Sequence, residues 1–148
     1  NMKVVHRFVL DFFTEPDCFE TASKNPRFEH NWFGQLKFFK HLGERCVFVS
    51  QKRLFRYFVH WKELQGLKTQ CKMSTFKEDL SDIGFTQIRR VVDEVKLTGY
   101  VFMKRYVTKS LRSFYKLDPF DISWCWDNEK EFSKYETRTW RFLHSGPF

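Results

Sequence analysis

The sequence predicts an α+β fold in which three core helices pack against a small antiparallel sheet, with an extension at each terminus. Three observations lead to this prediction: a capped amphipathic helix near residues 73–88, a strand that runs into another amphipathic helix near residues 45–61, and a hairpin pattern between residues 86 and 107. At 148 residues, the chain is long enough to bury such a core without disulfides or metals.

The composition indicates a folded domain with an anionic partner. Phe, Trp and Tyr make up 20% of the residues, which argues against disorder and suits a core or an interface built on aromatic rings. The formal net charge of +8 arises from 26 Lys and Arg residues against 18 acids, and this balance favours nucleic acid or an acidic protein as the partner. No apolar run approaches the roughly 18 residues of a membrane span, so we expect no membrane partner.

The four cysteines are spaced too widely to form a metal site. Cys18, Cys46, Cys71 and Cys125 contain no C-x-x-C pair, and no histidine follows them at zinc-finger spacing. We therefore expect no metal, no cofactor and no disulfide. Cys46 is interpreted as a buried apolar residue, and a reducing compartment, the nucleus or the cytosol, is expected.

For the N-terminal extension, residues 1–26, the sequence predicts secondary structure less clearly. The segment Lys3–Phe13 is dense in apolar residues and fits either a strand or a turn of buried helix, because periodicity does not separate the two. Pro16 at an early helical position predicts a short helix over Asp17–Ser23, which Asn25-Pro26 ends.

A strand and a basic amphipathic helix follow the turn at Leu42-Gly43-Glu44. Alternating and β-branched residues predict a strand over Arg45–Ser50. Ser50 is expected to cap a helix over Gln51–Trp61, whose apolar stripe lies opposite a basic face. That face is either a solvated surface or a set of phosphate contacts, and it consists of Lys52, Arg53 and Arg56.

The run Met73–Ile88 contains a helix start, a helix stop and an apolar stripe. Ser74 or Thr75 is expected to cap the first turn, with acidic residues early enough to favour the positive end of the helix dipole. Gly84 is expected to end the helix in the left-handed region. The apolar stripe, at i, i+4 and i+7, consists of Phe76, Leu80 and Ile83. Such periodicity also fits an ordinary amphipathic helix.

Residues 86–107 are predicted to form a β-hairpin. The strands are Thr86–Val95 and Gly99–Val107, and they are joined by a turn at Lys96–Gly99. Four cations on this hairpin serve either phosphate binding or cross-strand pairing with Asp93 and Glu94. These cations are Arg89, Arg90, Lys104 and Arg105. A basic helix end, Thr108–Lys116, follows.

The run Met73–Ile88 resembles the recognition helix of the heat shock factor DNA-binding domain, a winged helix-turn-helix whose pattern reads S-F-x-R-Q-L-N-x-Y-G-F. The matching positions are Thr75, Phe76, Leu80, Gly84 and Phe85. The resemblance covers roughly residues 27–112, within a predicted domain of residues 27–116. It implies a winged helix-turn-helix, a nuclear location, and a DNA-binding role in transcription regulation or chromatin.

Other parts of the chain follow the family's order. Gly43–Val49 is similar to the glycine-turn strand, Leu54–Phe58 to the next helix, and Tyr100–Lys104 to the last strand. The family's first helix has no clean match around Phe28 and Trp32, and its long flexible wing corresponds to a short predicted turn.

The resemblance breaks at the residues that read bases. The family's guanine-reading Arg corresponds to Glu78, and the Gln after it corresponds to Asp79. A carboxylate accepts only from a cytosine amino group and repels nearby phosphates, so altered or lost base readout and mainly phosphate contacts are implied. The expected nucleic-acid-binding residues are Lys52, Arg53, Arg56, Lys72, Lys77, Glu78, Ser81, Arg89, Arg90, Lys104 and Arg105.

The C-terminal extension, residues 117–148, is rich in tryptophan. Aromatic and aliphatic residues at every second position from Phe120 to Trp126 predict a strand. This extension packs on the domain or on a partner. The alternative function is therefore a protein interaction module that no longer binds DNA, with partner-binding residues Asp79, Asp82, Trp124, Trp126 and Trp140.

Catalytic motifs are missing from the sequence. It contains no Gly-rich phosphate loop, nucleophile elbow, H-E-x-x-H motif or paired-carboxylate frame. We expect no catalytic residue and no small-molecule substrate. Dispersed acids such as Asp79, Asp82 and Asp93 leave an unrecognised nuclease as the alternative.

Overall fold

The computed structural model describes residues 2–15, 36–92 and 95–136, and these form an α+β fold, as predicted. The described residues contain five α-helices and one four-stranded sheet. The helices are α1 (Val4–Thr14), α2 (Gln51–Leu64), α3 (Met73–Asp82), α4 (Lys104–Tyr115) and α5 (Glu129–Tyr135). The strands are β1 (Lys37–His41), β2 (Glu44–Ser50), β3 (Thr86–Val92) and β4 (Val95–Met103). The predicted helix Asp17–Ser23, Cys18 and Trp140 lie outside the described residues.

The sheet has the order β1-β2-β4-β3, and all neighbouring strands are antiparallel. The turn between β1 and β2 lies at Leu42-Gly43, as predicted, and both residues have positive φ angles. The predicted β3–β4 hairpin is confirmed, but the predicted turn Lys96–Gly99 is wrong because these residues lie within β4. A Cβ at Gly99 would lie 2.5 Å from the carbonyl oxygen of Val49 and 2.6 Å from the ring of Phe48. This glycine therefore marks a close approach of two strands, which a sequence does not distinguish from a turn.

The ambiguous segment at the N-terminus is a helix, α1, which packs into the main core. The Phe8 ring lies 5.3 Å from that of Phe58 on α2, and both side chains are buried. The Phe13 ring lies 4.7 Å from that of Phe102 on β4, so α1 contacts both the helical layer and the sheet. Burial of such large rings on a helix stabilises its docking by about 1.5–3 kcal/mol each.

The predicted strand near residues 120–126 is wrong. This segment contains two 3-10 turns, Pro119–Asp121 and Cys125–Asp127. The carboxylates of Asp118 and Asp127 accept hydrogen bonds from the backbone N–H groups of Phe120 and Trp124, so local turns replace strand pairing.

Trp124 and Trp126 are core residues, which corrects their prediction as partner-binding residues. They are 2% and 1% exposed, and their rings stack with centroids 5.1 Å apart. The Trp126 ring lies 5.4 Å from that of Phe13 on α1. The two ends of the described chain therefore contribute to one core.

Candidate nucleic-acid interface

Helix α3 is attached to the core by the predicted apolar stripe. Phe76, Leu80 and Ile83 are each 0% exposed. The Phe76 ring lies 5.2 and 5.0 Å from the rings of Phe55 and Phe58 on α2. This packing leaves the opposite side of α3 exposed, and the exposed side includes Ser74, Thr75, Glu78 and Ser81.

The start of α3 differs from the prediction. The N-cap residue is Lys72, whose carbonyl accepts from Phe76 N–H at 3.0 Å, and no side chain caps the helix. Ser74 and Thr75 lie within the first turn, so the predicted cap is wrong. Glu78 lies beyond the first turn, where the helix dipole favours a carboxylate less.

The end of α3 follows the prediction. Gly84 has a φ of +86° and its N–H donates to the Ser81 carbonyl at 3.1 Å, while Phe85 N–H donates to the Leu80 carbonyl at 3.1 Å. This pair of bonds is the Schellman arrangement, which satisfies two of the last carbonyl groups of the helix.

Two acids of α3 are engaged by α1. The ammonium group of Lys3 lies 3.4 Å from a carboxylate oxygen of Asp79 and 3.4 Å from one of Asp82. The Asp79 side chain is only 13% exposed. Asp79 and Asp82, predicted as partner-binding residues, therefore share one counter-charge from the N-cap residue of α1, while the Asp82 side chain remains 36% exposed, and their partner binding stays a prediction.

A buried histidine connects α1, α3 and α4. His6 is 0% exposed; its Nε2 lies 2.7 Å from the Asp79 carbonyl oxygen, and its Nδ1 lies 2.5 Å from the Tyr115 hydroxyl. A carbonyl only accepts, so Nε2 carries the proton and Nδ1 accepts from the tyrosine. Burial lowers the pKa of His6 below its ordinary value because the imidazolium would lose hydration.

The predicted basic face of α2 is only partly exposed. Lys52 and Arg56 are exposed, but Arg53 is 6% exposed and its guanidinium lies 4.6 Å from the centre of the Tyr57 ring. Arg53 is therefore a packing residue, which corrects its prediction as a phosphate contact. Its backbone N–H donates to the predicted cap, Ser50 Oγ, at 3.2 Å.

The cations predicted on the hairpin separate onto two elements. Arg89 is exposed on β3, and Arg90 is on the same strand, whereas Lys104 and Arg105 belong to α4 because β4 ends at Met103. The prediction of one cluster across two paired strands is therefore wrong. Lys104 pairs with Asp127, and Arg105 lies 3.8 Å from Glu44.

The remaining predicted residues of α3 carry little positive charge to the surface. Lys72 is exposed just before the helix, Lys77 is half-buried, and Glu78 and Ser81 are exposed. This surface offers two cations, one carboxylate and hydroxyl groups, which suit a few phosphate contacts and no bidentate guanine contact.

A basic surface on α4 is predicted only in part by the sequence. The residue pattern predicts a basic helix end at Thr108–Lys116 but places the preceding cations on a strand. With the helix beginning at Lys104, four exposed cations fall at i, i+4, i+7 and i+11. They are Arg105, Lys109, Arg112 and Lys116. Helical spacing from Lys104 onward was the signal that would have revealed this stripe.

The described residues show neither a membrane-spanning helix nor a metal cluster. None of their helices is long and apolar enough to cross a bilayer, and no three His, Cys, Asp or Glu residues in this part of the chain are grouped to hold a metal. The thiol of Cys46 is buried, as predicted, and this burial raises its pKa to about 12. Comparison with known protein families, curated proteins and solved structures finds no match.

Proposed function

We propose that this chain contains a non-enzymatic winged helix-turn-helix domain that binds duplex DNA mainly through phosphates, in the nucleus and in a transcription or chromatin context. The observation that carries the proposal is that α3 has one buried side and one exposed side. Its apolar side is fully buried, while its solvent side presents the positions that a recognition helix turns toward the major groove.

The neighbouring elements support this proposal. Helix α2 precedes α3 and packs against it through Phe55 and Phe58, as the first helix of a helix-turn-helix does. The four-stranded antiparallel sheet ends in the β3–β4 hairpin, which takes the place of the wing. Exposed cations on α2, before α3 and on β3 supply the phosphate contacts, namely Lys52, Arg56, Lys72 and Arg89.

Glu78 defines the kind of DNA recognition. It is exposed on α3 at the position where the heat shock factor pattern has its guanine-reading Arg. A carboxylate there repels phosphates and accepts only from cytosine N4, so sequence preference is weak or altered. The same feature favours a second candidate function, in which the exposed Glu78 faces a basic protein surface and DNA is not bound.

The test compares duplex DNA binding of the wild type and Glu78→Arg by fluorescence anisotropy at two salt concentrations. We expect higher affinity for Glu78→Arg, with a preference for guanine worth about 1–3 kcal/mol, because the change removes repulsion and adds a bidentate donor. We also compare the slope of log affinity against log salt concentration. For a variant such as Lys52→Gln, this slope should be smaller than that of the wild type by about one unit for each phosphate that is no longer neutralised.

A matched control places the same charge change elsewhere. Glu129→Arg reverses an exposed carboxylate on α5 and should raise affinity less, without base preference. Equal effects of the two variants would contradict docking through α3. The interaction module would be favoured if the wild type, but not Glu78→Arg, retained a basic protein from nuclear extract and neither of the two bound duplex DNA.

A further inference from the structure

Helix α4 presents a continuous basic stripe that the proposed function does not use. The stripe consists of Arg105, Lys109, Arg112 and Lys116, and all four are exposed. At 100° per residue the three cations within the helix, Arg105, Lys109 and Arg112, fall within one sector, opposite the buried Val107 and Leu111, and Lys116 follows as the C-cap residue. No acidic residue occurs between residues 104 and 116, so nothing within the helix neutralises the stripe.

Two grooves meet along this stripe. One, of about 470 Å³, is lined by Glu44, Lys104, Arg105, Thr108, Lys109 and Arg112. The other, of about 710 Å³, is lined by Arg112, Lys116, Leu117, Asp118 and Phe120. Arg112 lines both grooves, so they adjoin at its side chain, and together they are here called the track. The stripe from first to last cation is roughly 16 Å long at 1.5 Å per residue.

Two carboxylates line the track, and one of them, Glu44, is paired with a cation of the stripe. Glu44 lies 3.8 Å from Arg105, and the carboxylate of Asp118 accepts from Phe120 N–H at 3.0 Å. Within the part of the chain that the structure describes, Lys109, Arg112 and Lys116 have no carboxylate within 4 Å. These cations retain their full charge for an anionic ligand.

An exposed aromatic ring stands at the end of the track. Helix α4 ends at Lys116 in the left-handed region, with a φ of 54°. Asp118 then orders the next turn, because its side chain accepts from Phe120 N–H and its carbonyl accepts from Asp121 N–H, both at 3.0 Å. The Phe120 side chain is 95% exposed, so an ordered turn holds an apolar ring in water beside two cations.

We propose that this track binds single-stranded nucleic acid, with backbone phosphates on Lys109, Arg112 and Lys116 and one unstacked base on Phe120. A basic groove combined with an aromatic platform is the general means of binding single strands. Within a duplex each base is stacked on its neighbours, so stacking on Phe120 would first require unstacking there, whereas a single strand offers its bases directly. The proposal is independent of DNA docking through α3.

The test measures binding of the full chain to a labelled oligonucleotide of about twelve nucleotides and to its duplex, at two salt concentrations. Phe120→Ala should lower single-strand affinity about tenfold without changing the salt slope, and Phe120→Trp should retain affinity. The pair Arg112→Glu/Lys116→Glu should lower affinity more strongly and reduce the salt slope by about 0.7 for each phosphate that is no longer neutralised.

Matched variants separate this surface from the others. Lys40→Glu/Lys130→Glu makes the same change in net charge at exposed positions on β1 and α5, and should change affinity far less. Glu78→Arg should raise single-strand affinity no more than Glu129→Arg does, so the track and α3 are tested independently. Unchanged thermal melting of Phe120→Ala would show that its effect does not come from unfolding.

Three results would overturn the proposal. One is single-strand binding that is insensitive to Phe120→Ala, and another is an equal decrease in affinity in the charge-matched control. The third is that an acidic polypeptide, such as polyglutamate, binds more strongly than the single-stranded oligonucleotide. In that case Arg112→Glu/Lys116→Glu would abolish polypeptide binding and Phe120→Ala would leave it unchanged. That outcome would assign the track to an acidic protein.

Discussion

Helices α3 and α4 are amphipathic helices of similar length that meet at His6, yet their charges are opposite. The ten residues of α3 contain one cation and three acids, whereas the twelve residues of α4 contain four cations and no acid. Two acids of α3 share the single positive charge of Lys3, while two of the four cations of α4, Lys109 and Arg112, have no carboxylate within 4 Å in the described part of the chain.

This difference shows that net charge does not locate a binding surface. From the charge of +8 we predict an anionic partner, and from the resemblance to a recognition helix we predict that it binds at α3. The exposed positive charge is instead concentrated on α4. Each helix can be altered separately, so the binding proposed for α3 and the binding proposed for α4 can be tested one at a time.

The largest expected effect comes from breaking the attachment of α3 to the core. Phe76→Ala removes a ring that is 0% exposed, and we expect the free energy of unfolding to fall by about 3–5 kcal/mol through reduced burial and a residual cavity. Urea denaturation followed by circular dichroism measures this decrease. On α4, Phe114→Ala truncates a ring that is 51% exposed and should change stability by only about 0.5 kcal/mol. Similar decreases for the two variants would contradict the described packing of α3.

A smaller effect concerns His6, which joins the two helices. Its pKa is lowered in the folded state from an ordinary 6.5, so the unfolded chain binds the extra proton first as the pH falls. Stability from this group is therefore complete above about pH 6.5 and declines below it, by at most about 1.4 kcal/mol per pH unit. The charged and polar groups around it are Lys3, Asp79, Asp82 and Tyr115.

The matched variant His6→Gln retains a donor for the Asp79 carbonyl but does not titrate. The difference in unfolding free energy between wild type and His6→Gln should narrow as the pH is lowered from 7 toward 5. Parallel stability curves over this range would show that the histidine is not held neutral between α3 and α4.

The smallest effect is expected at Lys3, which supplies the counter-charge for α3. Its side chain is half exposed, so solvent and salt screen both ion pairs. Lys3→Gln should lower the melting temperature slightly at low salt and less at high salt. It should also weaken duplex binding, because without Lys3 the carboxylates of Asp79 and Asp82 repel the DNA phosphates more strongly. A melting temperature that falls equally at both salt concentrations would indicate a packing role for Lys3 instead.

Local patterns in the sequence were sufficient for much of the fold. The strand at Arg45–Ser50, the capped α2, the buried stripe of α3 and its glycine stop are all confirmed. Each depends on residues close together in the chain, through alternation, helical spacing or a backbone conformation that glycine adopts most easily. The basic residues of α4 were visible in the same way, although the helix boundary was not.

Long-range contacts decided what the local patterns left open. Gly99 resembles a turn residue until the Phe48 ring and the Val49 carbonyl are placed against it. Asp79 has the pattern of a surface acid until Lys3, which is 76 residues away in sequence, lies 3.4 Å from its carboxylate.

By itself, the sequence determined the fold class, the net positive charge, the acidic amphipathic helix α3 and a basic helix end at Thr108–Lys116. Only the tertiary structure decided which charges remain available, because ion pairs and burial depend on residues far apart in sequence. It also decided that Trp124 and Trp126 are buried while Phe120 is exposed. All three aromatic residues belong to the same alternating sequence pattern, and they differ only in the residues that pack against them.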